Sequence, residues 1–177
     1  MSEIILFIAS SLDGFIASPD GSIDWLFTDQ DYGYSEFYSN IETLVMGNKT
    51  YQQVLDFDEY PYTGKQVFVL TRDTTKAKDQ NVTYISQEIS QFIASLRSTA
   101  KGNIWLVGGG EIIKIFLQQG AIDRLILSIH PLLLGKGIPL FLSEFPSQTL
   151  ELQDTKTFAS GLIQLDYQVL ANNTAFL

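Results

Sequence analysis

Six short apolar runs constrain the fold of this chain more than any other feature of its sequence. Each has the length of a strand, and most are continuous rather than alternating, which is typical of strands buried on both faces of a parallel sheet. The runs lie at residues 4–9, 43–46, 66–70, 82–85, 104–107 and 122–129. A sheet of this kind needs helices on its faces to bury it.

Helical patterns lie between the apolar runs. Apolar residues repeat with i, i+3, i+4, i+7 spacing from Ile89 to Leu96, with Ser86 as the predicted N-cap, and a similar pattern covers residues 112–117 and stops at Gly120. Two shorter helices are predicted at 47–56 and 31–40. After Thr149 the pattern alternates, as in an antiparallel hairpin. The fold class is therefore α/β, with a mostly parallel central sheet, helices on both faces and an antiparallel C-terminal hairpin at the edge.

Composition excludes several classes of function. The 177 residues show no repeat or linker, so we expect one domain over 1–177. The chain has no cysteine and a single histidine, which excludes a thiolate zinc site, a cysteine nucleophile and a multi-histidine metal site. A net charge of −9 argues against nucleic acid as a partner. No apolar run approaches the length of a membrane span, and the start lacks the basic residues of a signal peptide, so we expect a soluble cytoplasmic protein without a membrane partner.

Three consecutive glycines, Gly108, Gly109 and Gly110, separate a strand run from a helical pattern in "LVGGGEII". Ligands of open α/β sheets bind where a strand gives way to a helix, and glycine lets a ligand approach the backbone closely. The following helix offers free N–H groups to an anion. The alternative is a tight turn without a ligand.

Two further strand ends carry groups suited to phosphate. In "VMGNKTYQQV" the strand ends at Gly47, and Asn48, Lys49 and Thr50 open a helix. In "VFVLTRDT" the strand ends in Thr71 and Arg72, and arginine matches a terminal phosphate with its forked donors. A capped helix and solvated cations are the alternative for each. Together with the glycines, the three junctions favour a ligand with several phosphates, such as a dinucleotide.

The order of these motifs resembles the dihydrofolate reductase family, closest to the branch that contains the C-terminal reductase domain of riboflavin biosynthesis. The matching segments are "ILFIASSLDGFIA", "VMGNKTYQQV", "VFVLTRD", "IWLVGGGEIIKIFL" and "IDRLILSIHPLLLGKGIPLF". The resemblance implies a three-layer fold of that type and an NADPH-dependent oxidoreductase. Its substrate would be a pterin-like or pyrimidine-like heterocycle, such as dihydrofolate or 5-amino-6-(5-phosphoribosylamino)uracil.

The resemblance also implies which residues hold NADPH. Ala9 and Ile16 would flank the nicotinamide, and residues 47–50 would cradle the pyrophosphate. Leu70, Thr71 and Arg72 would hold the adenosine end with its 2′-phosphate. The segment Val107, Gly108, Gly109, Gly110, Glu111 and Ile112 would pass beneath the nicotinamide ribose, with a cis peptide between Gly108 and Gly109.

The substrate side is less sharply defined. In dihydrofolate reductases an acid on the helix after the flexible loop, here 10–24, bonds the pterin and assists its protonation. Counting along the chain lands on Asp31 or between Asp29 and Asp31, so the resemblance implies Asp31 as the proton-assisting catalytic residue; a solvated acidic loop is the alternative. Lys65 stands where folate-type members carry an arginine that binds a carboxylate.

Four more residues complete the substrate side. Asp13 would brace the loop or contact substrate, Trp25 would line the cleft or anchor the loop, and Lys136 would meet a substrate phosphate. For His130, the unique histidine, a structural role is favoured over that of a general acid.

Two other functions stay open from the sequence. One is a reductase that uses the same cofactor on an unrelated carbonyl or imine, and the other is a nucleotide-binding protein without catalysis. Members of the riboflavin-type branch often form homodimers, and the C-terminal hairpin is a surface that could serve this purpose.

Overall fold

The computed structural model describes residues 2–76 and 78–171, which form ten strands and four helices. The strands are β1 (Ile4–Ser11), β2 (Phe15–Ala17), β3 (Ile41–Gly47), β4 (Gln66–Leu70), β5 (Thr83–Ile85), β6 (Asn103–Gly108), β7 (Arg124–His130), β8 (Ile138–Pro139), β9 (Leu150–Thr157) and β10 (Ile163–Val169). The helices are α1 (Tyr34–Ser39), α2 (Asn48–Leu55), α3 (Ile89–Thr99) and α4 (Gly110–Gln118).

Eight of the strands form one sheet in the order β5-β4-β3-β6-β1-β7-β10-β9. The first six in this order run parallel, and β10 and β9 add an antiparallel edge. The predicted fold class is therefore confirmed. All six apolar runs overlap strands of the parallel part, and all but the edge strand β5 include buried residues.

Helices cover both faces of the sheet and make three layers. Tyr51 and Val54 of α2 share one apolar core with Leu44, and rings of α1 pack against it. Phe116 of α4 belongs to the core on the other face, together with Val45. Neighbouring strand residues 44 and 45 thus serve opposite cores, as the two-residue period of a strand requires.

Some predicted details differ in the structure. Helix α3 begins after Glu88, which is the N-cap, so the prediction of Ser86 as the cap is wrong; Glu88 has a left-handed backbone (φ 51°) that starts the helix without a side-chain cap. Strands β2 and β8 were not predicted, and they pair with each other in a separate two-stranded sheet. This pairing fixes the middle of the loop 10–24 against β8. Every residue of β9 is exposed, despite its alternating pattern.

Across residues 2–76 and 78–171, the structure contains no helix with the length and apolar character that crossing a membrane would require.

Candidate active site

The parallel strands bring the three predicted junctions to one edge of the sheet. Gly47 at the end of β3 is paired in register with Leu70 at the end of β4, and Met46 is paired with Gly108 at the end of β6. Residues that are far apart in the sequence therefore lie side by side. The predicted cofactor residues of all three segments belong to this edge.

Two helices begin at this edge without a side-chain cap. The N-cap of α2 is Gly47 and that of α4 is Gly109, and neither helix has a side-chain hydrogen bond to its first amides. Glycine has no side chain with which to cap them, so the first-turn N–H groups stay available for an anion. The Gly108–Gly109 peptide is cis, as the resemblance implies.

The glycines let the two junctions approach each other. A Cβ atom at Gly47 would lie 3.0 Å from Cγ1 of Ile112, and one at Gly109 would lie 3.6 Å from Cδ1 of Ile16 and 3.9 Å from Oγ1 of Thr50. Ile16, Thr50 and Ile112 therefore surround the glycines. A side chain at 47 would crowd Ile112, so glycine there permits the close packing of the two junctions, whereas one at 109 would project between Ile16 and Thr50.

Cations lie at the β4 side of this edge. Arg72 donates from Nη2 to Oε2 of Glu111 at 2.9 Å, which links the end of β4 to the first turn of α4. Lys76, which the sequence interpretation missed, donates from Nζ to Oδ1 of Asn48 at 3.3 Å. Its position six residues after the strand end was the one available signal. Lys49 is exposed beside them.

A cavity of about 450 Å³ lies beside the ends of β1 and β7. The strands supply its floor, and the segment before α1 supplies much of its wall. Its lining consists of Phe7, Ala9, Leu26, Phe27, Thr28, Gln30, Asp31, Tyr32, Tyr34, Ser128, His130 and Leu162. The structure thus places Ala9 and Asp31 in the lining of one cavity.

Asp31 lies in this lining, two residues before Gly33, the N-cap of α1. Its carboxylate accepts hydrogen bonds from the Ser35 amide at 3.0 Å and from the Ser35 hydroxyl at 2.7 Å. These bonds lower the pKa of Asp31, the hydroxyl bond most strongly. The group is therefore ionised at neutral pH and suited to accept a hydrogen bond from a ligand rather than to donate a proton.

His130 is the last residue of β7 and only 3% exposed. Its Nε2 accepts a hydrogen bond from the Phe27 amide at 3.2 Å, and the rings of Trp25 and Phe27 pack against it at centroid distances of 5.3 and 4.9 Å. Burial lowers the pKa of His130. The neutral imidazole thus anchors the segment that walls the cavity.

Three of the residues predicted for the substrate lie outside the cavity lining. Lys65 precedes β4, at the opposite edge of the sheet, where its ammonium donates to the Ile41 carbonyl. Asp13 accepts hydrogen bonds from the amides of Leu134 and Gly135 and so ties two loops together. Lys136 is exposed in the second of these loops.

Trp25 is the fourth of these residues, and it packs behind the wall. Its indole N–H is buried and has no hydrogen-bond partner among the described residues.

Along one edge of the sheet lie exposed Arg72 and the N-termini of α2 and α4, which have no side-chain caps. Ile16 lies beside Gly109, and Ala9 lines the aromatic cavity. An elongated phosphate-bearing ligand binds at strand ends of this kind in open α/β sheets.

Comparisons with known proteins agree with this geometry. The family model described as the RibD C-terminal domain matches residues 55–164. YwjB of Bacillus subtilis (strain 168), named an uncharacterized protein, is 40% identical over 93% of this chain and 97% of its own length.

Solved structures share the fold. A protein of Shewanella sp. PV-4, whose name assigns it to riboflavin biosynthesis, has a TM-score of 0.84 and 31% identity, covering 97% of this chain and 100% of that one. The dihydrofolate reductase of Enterococcus faecalis, complexed with NADP(H), has a TM-score of 0.68 over 94% of this chain and 96% of that one. Its identity of 17% makes this a likeness of fold alone.

Proposed function

Because the chain belongs to the RibD C-terminal domain family, we propose that it is an NADPH-dependent reductase that transfers hydride to a pterin-like or pyrimidine-like heterocycle. The fold is that of reductases, since riboflavin-pathway and dihydrofolate reductases share it. Family membership supports a nicotinamide cofactor in general. We further propose that this cofactor is NADPH, that the residues at the sheet edge hold it, and that the chain is a single cytoplasmic domain.

The observation that carries the proposal is the meeting of two uncapped helices at the glycines. The first turns of α2 and α4 open on the same edge, and Gly47 and Gly109 hold no side chain over them. Helix N-termini bind phosphate through free amides and the helix dipole. We therefore assign the pyrophosphate to this cradle, with the Thr50 hydroxyl as a further donor.

The cations beside β4 support a cofactor that carries a 2′-phosphate. The Arg72 side chain is 92% exposed, and its salt bridge with Glu111 also lies in solvent. The guanidinium can therefore leave Glu111 and turn toward an incoming phosphate. Lys76 and Lys49 add positive charge on the same side. Because a phosphate carries more charge than the Glu111 carboxylate, it competes well for the guanidinium.

The nicotinamide end would lie between Ile16 and Ala9, at the entrance to the cavity. When bound, the cofactor supplies a hydride, which adds to an electrophilic C=N or C=O carbon of the substrate, while a proton from solvent adds to the nitrogen or oxygen. Alignment of the two molecules is the main contribution of the chain.

Asp31 assists this reaction as an orienting group in our proposal. An ionised carboxylate in the lining accepts a hydrogen bond from a ring N–H or amino group and holds the substrate in one pose. The Asp31→Asn variant should then lose turnover through weaker positioning. The predicted contacts of Lys65 and Lys136 with substrate find no support in this geometry.

Titration with NADPH and NADH, with the two tryptophans as fluorescent reporters, tests the cofactor assignment. We expect Arg72→Gln to weaken NADPH binding about tenfold, which is about 1.4 kcal/mol, and to leave NADH binding nearly unchanged. Lys101→Gln removes the same charge near the amino end of β6 and serves as the control. Equal losses for NADPH and NADH in Arg72→Gln would contradict the assignment of the 2′-phosphate.

The remaining candidates are distinguished by turnover. Binding of NADPH without reduction of any heterocycle would indicate a nucleotide-binding protein without catalysis. Reduction of simple carbonyls or imines, with heterocycles inert, would indicate the other reductase class. No binding of either nicotinamide nucleotide would refute the proposal as a whole.

We also propose that two copies pair through the C-terminal hairpin. Strand β9 is an edge strand with every residue exposed, and its apolar Leu150 and Leu152 face solvent. An exposed edge with apolar residues is a ready surface for pairing with another chain.

A further inference from the structure

Lys76 is a cation held between two neutral groups at the start of α2. Its Nζ donates to Oδ1 of Asn48, the first residue of α2, at 3.3 Å. The same ammonium lies 5.1 Å from the ring centroid of Tyr84 in β5. A ring face attracts a cation at this distance, so the two contacts hold the charge in one place without neutralising it.

Among the described residues, no carboxylate forms a salt bridge with this ammonium. Asp73 belongs to the same loop, 71–82. Hydrogen bonds from Thr75 lower the pKa of Asp73 most strongly, and the nearby charge of Lys76 lowers it further. The Asp73 carboxylate accepts from the Thr75 amide at 2.9 Å and from the Thr75 hydroxyl at 2.6 Å. Lys76 therefore keeps a charge that an incoming anion can use.

Tyr84 is itself fixed by Asp79. Its hydroxyl donates to Oδ2 of Asp79 at 3.1 Å, and the hydroxyl of Tyr51 in α2 donates to the same atom at 2.9 Å. Oδ1 of Asp79 accepts from the backbone amides of Asn81 and Val82, which hold the carboxylate in place. The ring that contacts Lys76 is thus tied to α2 and to the loop that carries the lysine.

The order of the strands indicates which part of a nicotinamide dinucleotide would meet Lys76. One side of the sheet runs in the order β5-β4-β3-β6-β1. In the proposed function, the nicotinamide lies at β1 and the pyrophosphate at the ends of β3 and β6. The adenosine half would then extend toward β4 and β5. Lys76 follows β4 in the chain and contacts Tyr84 of β5, so it belongs to the adenosine end.

Arg72 and Lys76 meet an incoming phosphate in different states. The guanidinium of Arg72 is bonded to Glu111, so a phosphate must displace a carboxylate from it. The ammonium of Lys76 has only an amide oxygen and an aromatic ring as partners. A donor that is already in place, and that has no charged partner to lose, gives up less on binding.

We propose that Lys76 is a specificity-determining residue for the cofactor and that its ammonium binds the phosphate on the 2′ oxygen of the adenosine ribose. Tyr84 is the positioning residue that presents this ammonium. The inference rests on the proposed function, because the direction of the bound cofactor comes from it. NADH lacks the 2′-phosphate and leaves Lys76 without an anionic partner, so Lys76 adds to the preference for NADPH that Arg72 provides.

Two fragments of the cofactor isolate this contact. Adenosine 2′,5′-bisphosphate and AMP differ only in the phosphate on the 2′ oxygen, and calorimetric titration of the wild-type protein should show tighter binding of the bisphosphate. In Lys76→Gln we expect the bisphosphate to bind about tenfold more weakly, since one charge-assisted hydrogen bond is lost, and AMP to bind as before. Lys78→Gln removes the same charge from an exposed lysine of the same loop and should change neither affinity.

Further variants separate positioning from folding. Lys76→Arg retains a cation and should keep most of the preference for the bisphosphate. Tyr84→Leu removes the ring and should lower the preference severalfold, whereas Tyr84→Phe keeps the ring and should retain more of it. Unchanged AMP binding in each variant shows that the rest of the site is intact. A full preference in Tyr84→Leu would overturn the positioning role.

The outcomes distinguish this inference from the proposed function. If Lys76→Gln keeps the full preference for the bisphosphate, the inference is overturned and the cofactor assignment stands. Equal weakening of both nucleotides would assign Lys76 to the 5′-phosphate and would also overturn it. If the wild-type protein binds neither nucleotide, the cofactor assignment fails, and this inference fails with it.

Discussion

His130 couples the wall of the cavity to pH. Its neutral Nε2 accepts the Phe27 amide, and protonation would turn this acceptor into a donor that faces another donor. Burial lowers its pKa below the ordinary 6.5. As the pH falls through 6.5, the unfolded chain takes up a proton that the folded chain refuses, so stability present above this pH is lost toward the lower pKa.

We expect the free energy of unfolding to fall as the pH drops below about 6.5, by no more than about 1.4 kcal/mol per pH unit from this one group. His130→Gln retains a side-chain acceptor and removes the titration, so its stability should be flatter over the same range. Urea unfolding at a series of pH values measures both. If the two proteins lose stability in parallel, His130 is not the source.

The residues of the cavity show where sequence reasoning succeeded and where it stopped. Counting along the chain could not separate Asp29 from Asp31, because only the path of the loop decides. In the structure, Asp29 accepts a hydrogen bond from the Tyr32 hydroxyl, and Asp31 remains in the lining. The spacing of two residues puts Phe7 and Ala9 on one face of β1, and Ser128 and His130 on one face of β7. The sequence does not reveal which face of the sheet borders the cavity.

At the scale of elements, the pair β2–β8 links the loop 10–24 to the segment after β7. Asp13 adds two hydrogen bonds to the amides of Leu134 and Gly135, and its hydrogen bond from the Ser11 hydroxyl keeps the carboxylate in place and lowers its pKa. Strands of two or three residues have no detectable period, so the β2–β8 pairing could not be predicted, whereas a bracing role of Asp13 was one of its two predicted roles. The long apolar runs could be predicted, since burial on both faces requires them.

Removal of the Asp13 carboxylate should loosen this connection. In Asp13→Ala we expect faster hydrogen exchange at the amides of Leu134 and Gly135, which would lose their acceptor. Because Ile16 of β2 lies against Gly109, we also expect weaker nucleotide binding. Asp24→Ala, in the same loop, is the control, and equal exchange in both variants would assign no bracing role to Asp13.

At the scale of the whole molecule, the order of five motifs predicted the sheet and its ligand edge. The substrate could not be predicted in this way, because the cavity draws its lining from four separate segments between Phe7 and Leu162. Several residues of that lining are ordinary apolar or aromatic residues. Their role as cavity-lining residues becomes visible only when the elements are assembled in the fold.

Pairing of two copies is the next expectation at this scale. Light scattering during gel filtration should give the mass of a dimer, and Leu152→Glu should shift it toward a monomer by adding charge to an exposed apolar position of β9. Leu55→Glu changes a similarly exposed leucine at the end of α2 and should leave the mass unchanged. A monomeric wild-type protein at micromolar concentration would exclude the proposed pairing.

The position of β1 has a consequence for synthesis on the ribosome. Strand β1 precedes the other strands of its sheet along the chain, yet it lies in the middle of the sheet, between β6 and β7. The hydrogen-bonding edge of β1 that pairs with β7 therefore stays unpaired until β7 has been synthesised. Nascent chains that end before Arg124 thus expose a hydrophobic strand to chaperones. We expect such chains to be cut readily in pulse proteolysis and resistance to appear once β7 has left the exit tunnel; early resistance would mean that another assembly order operates.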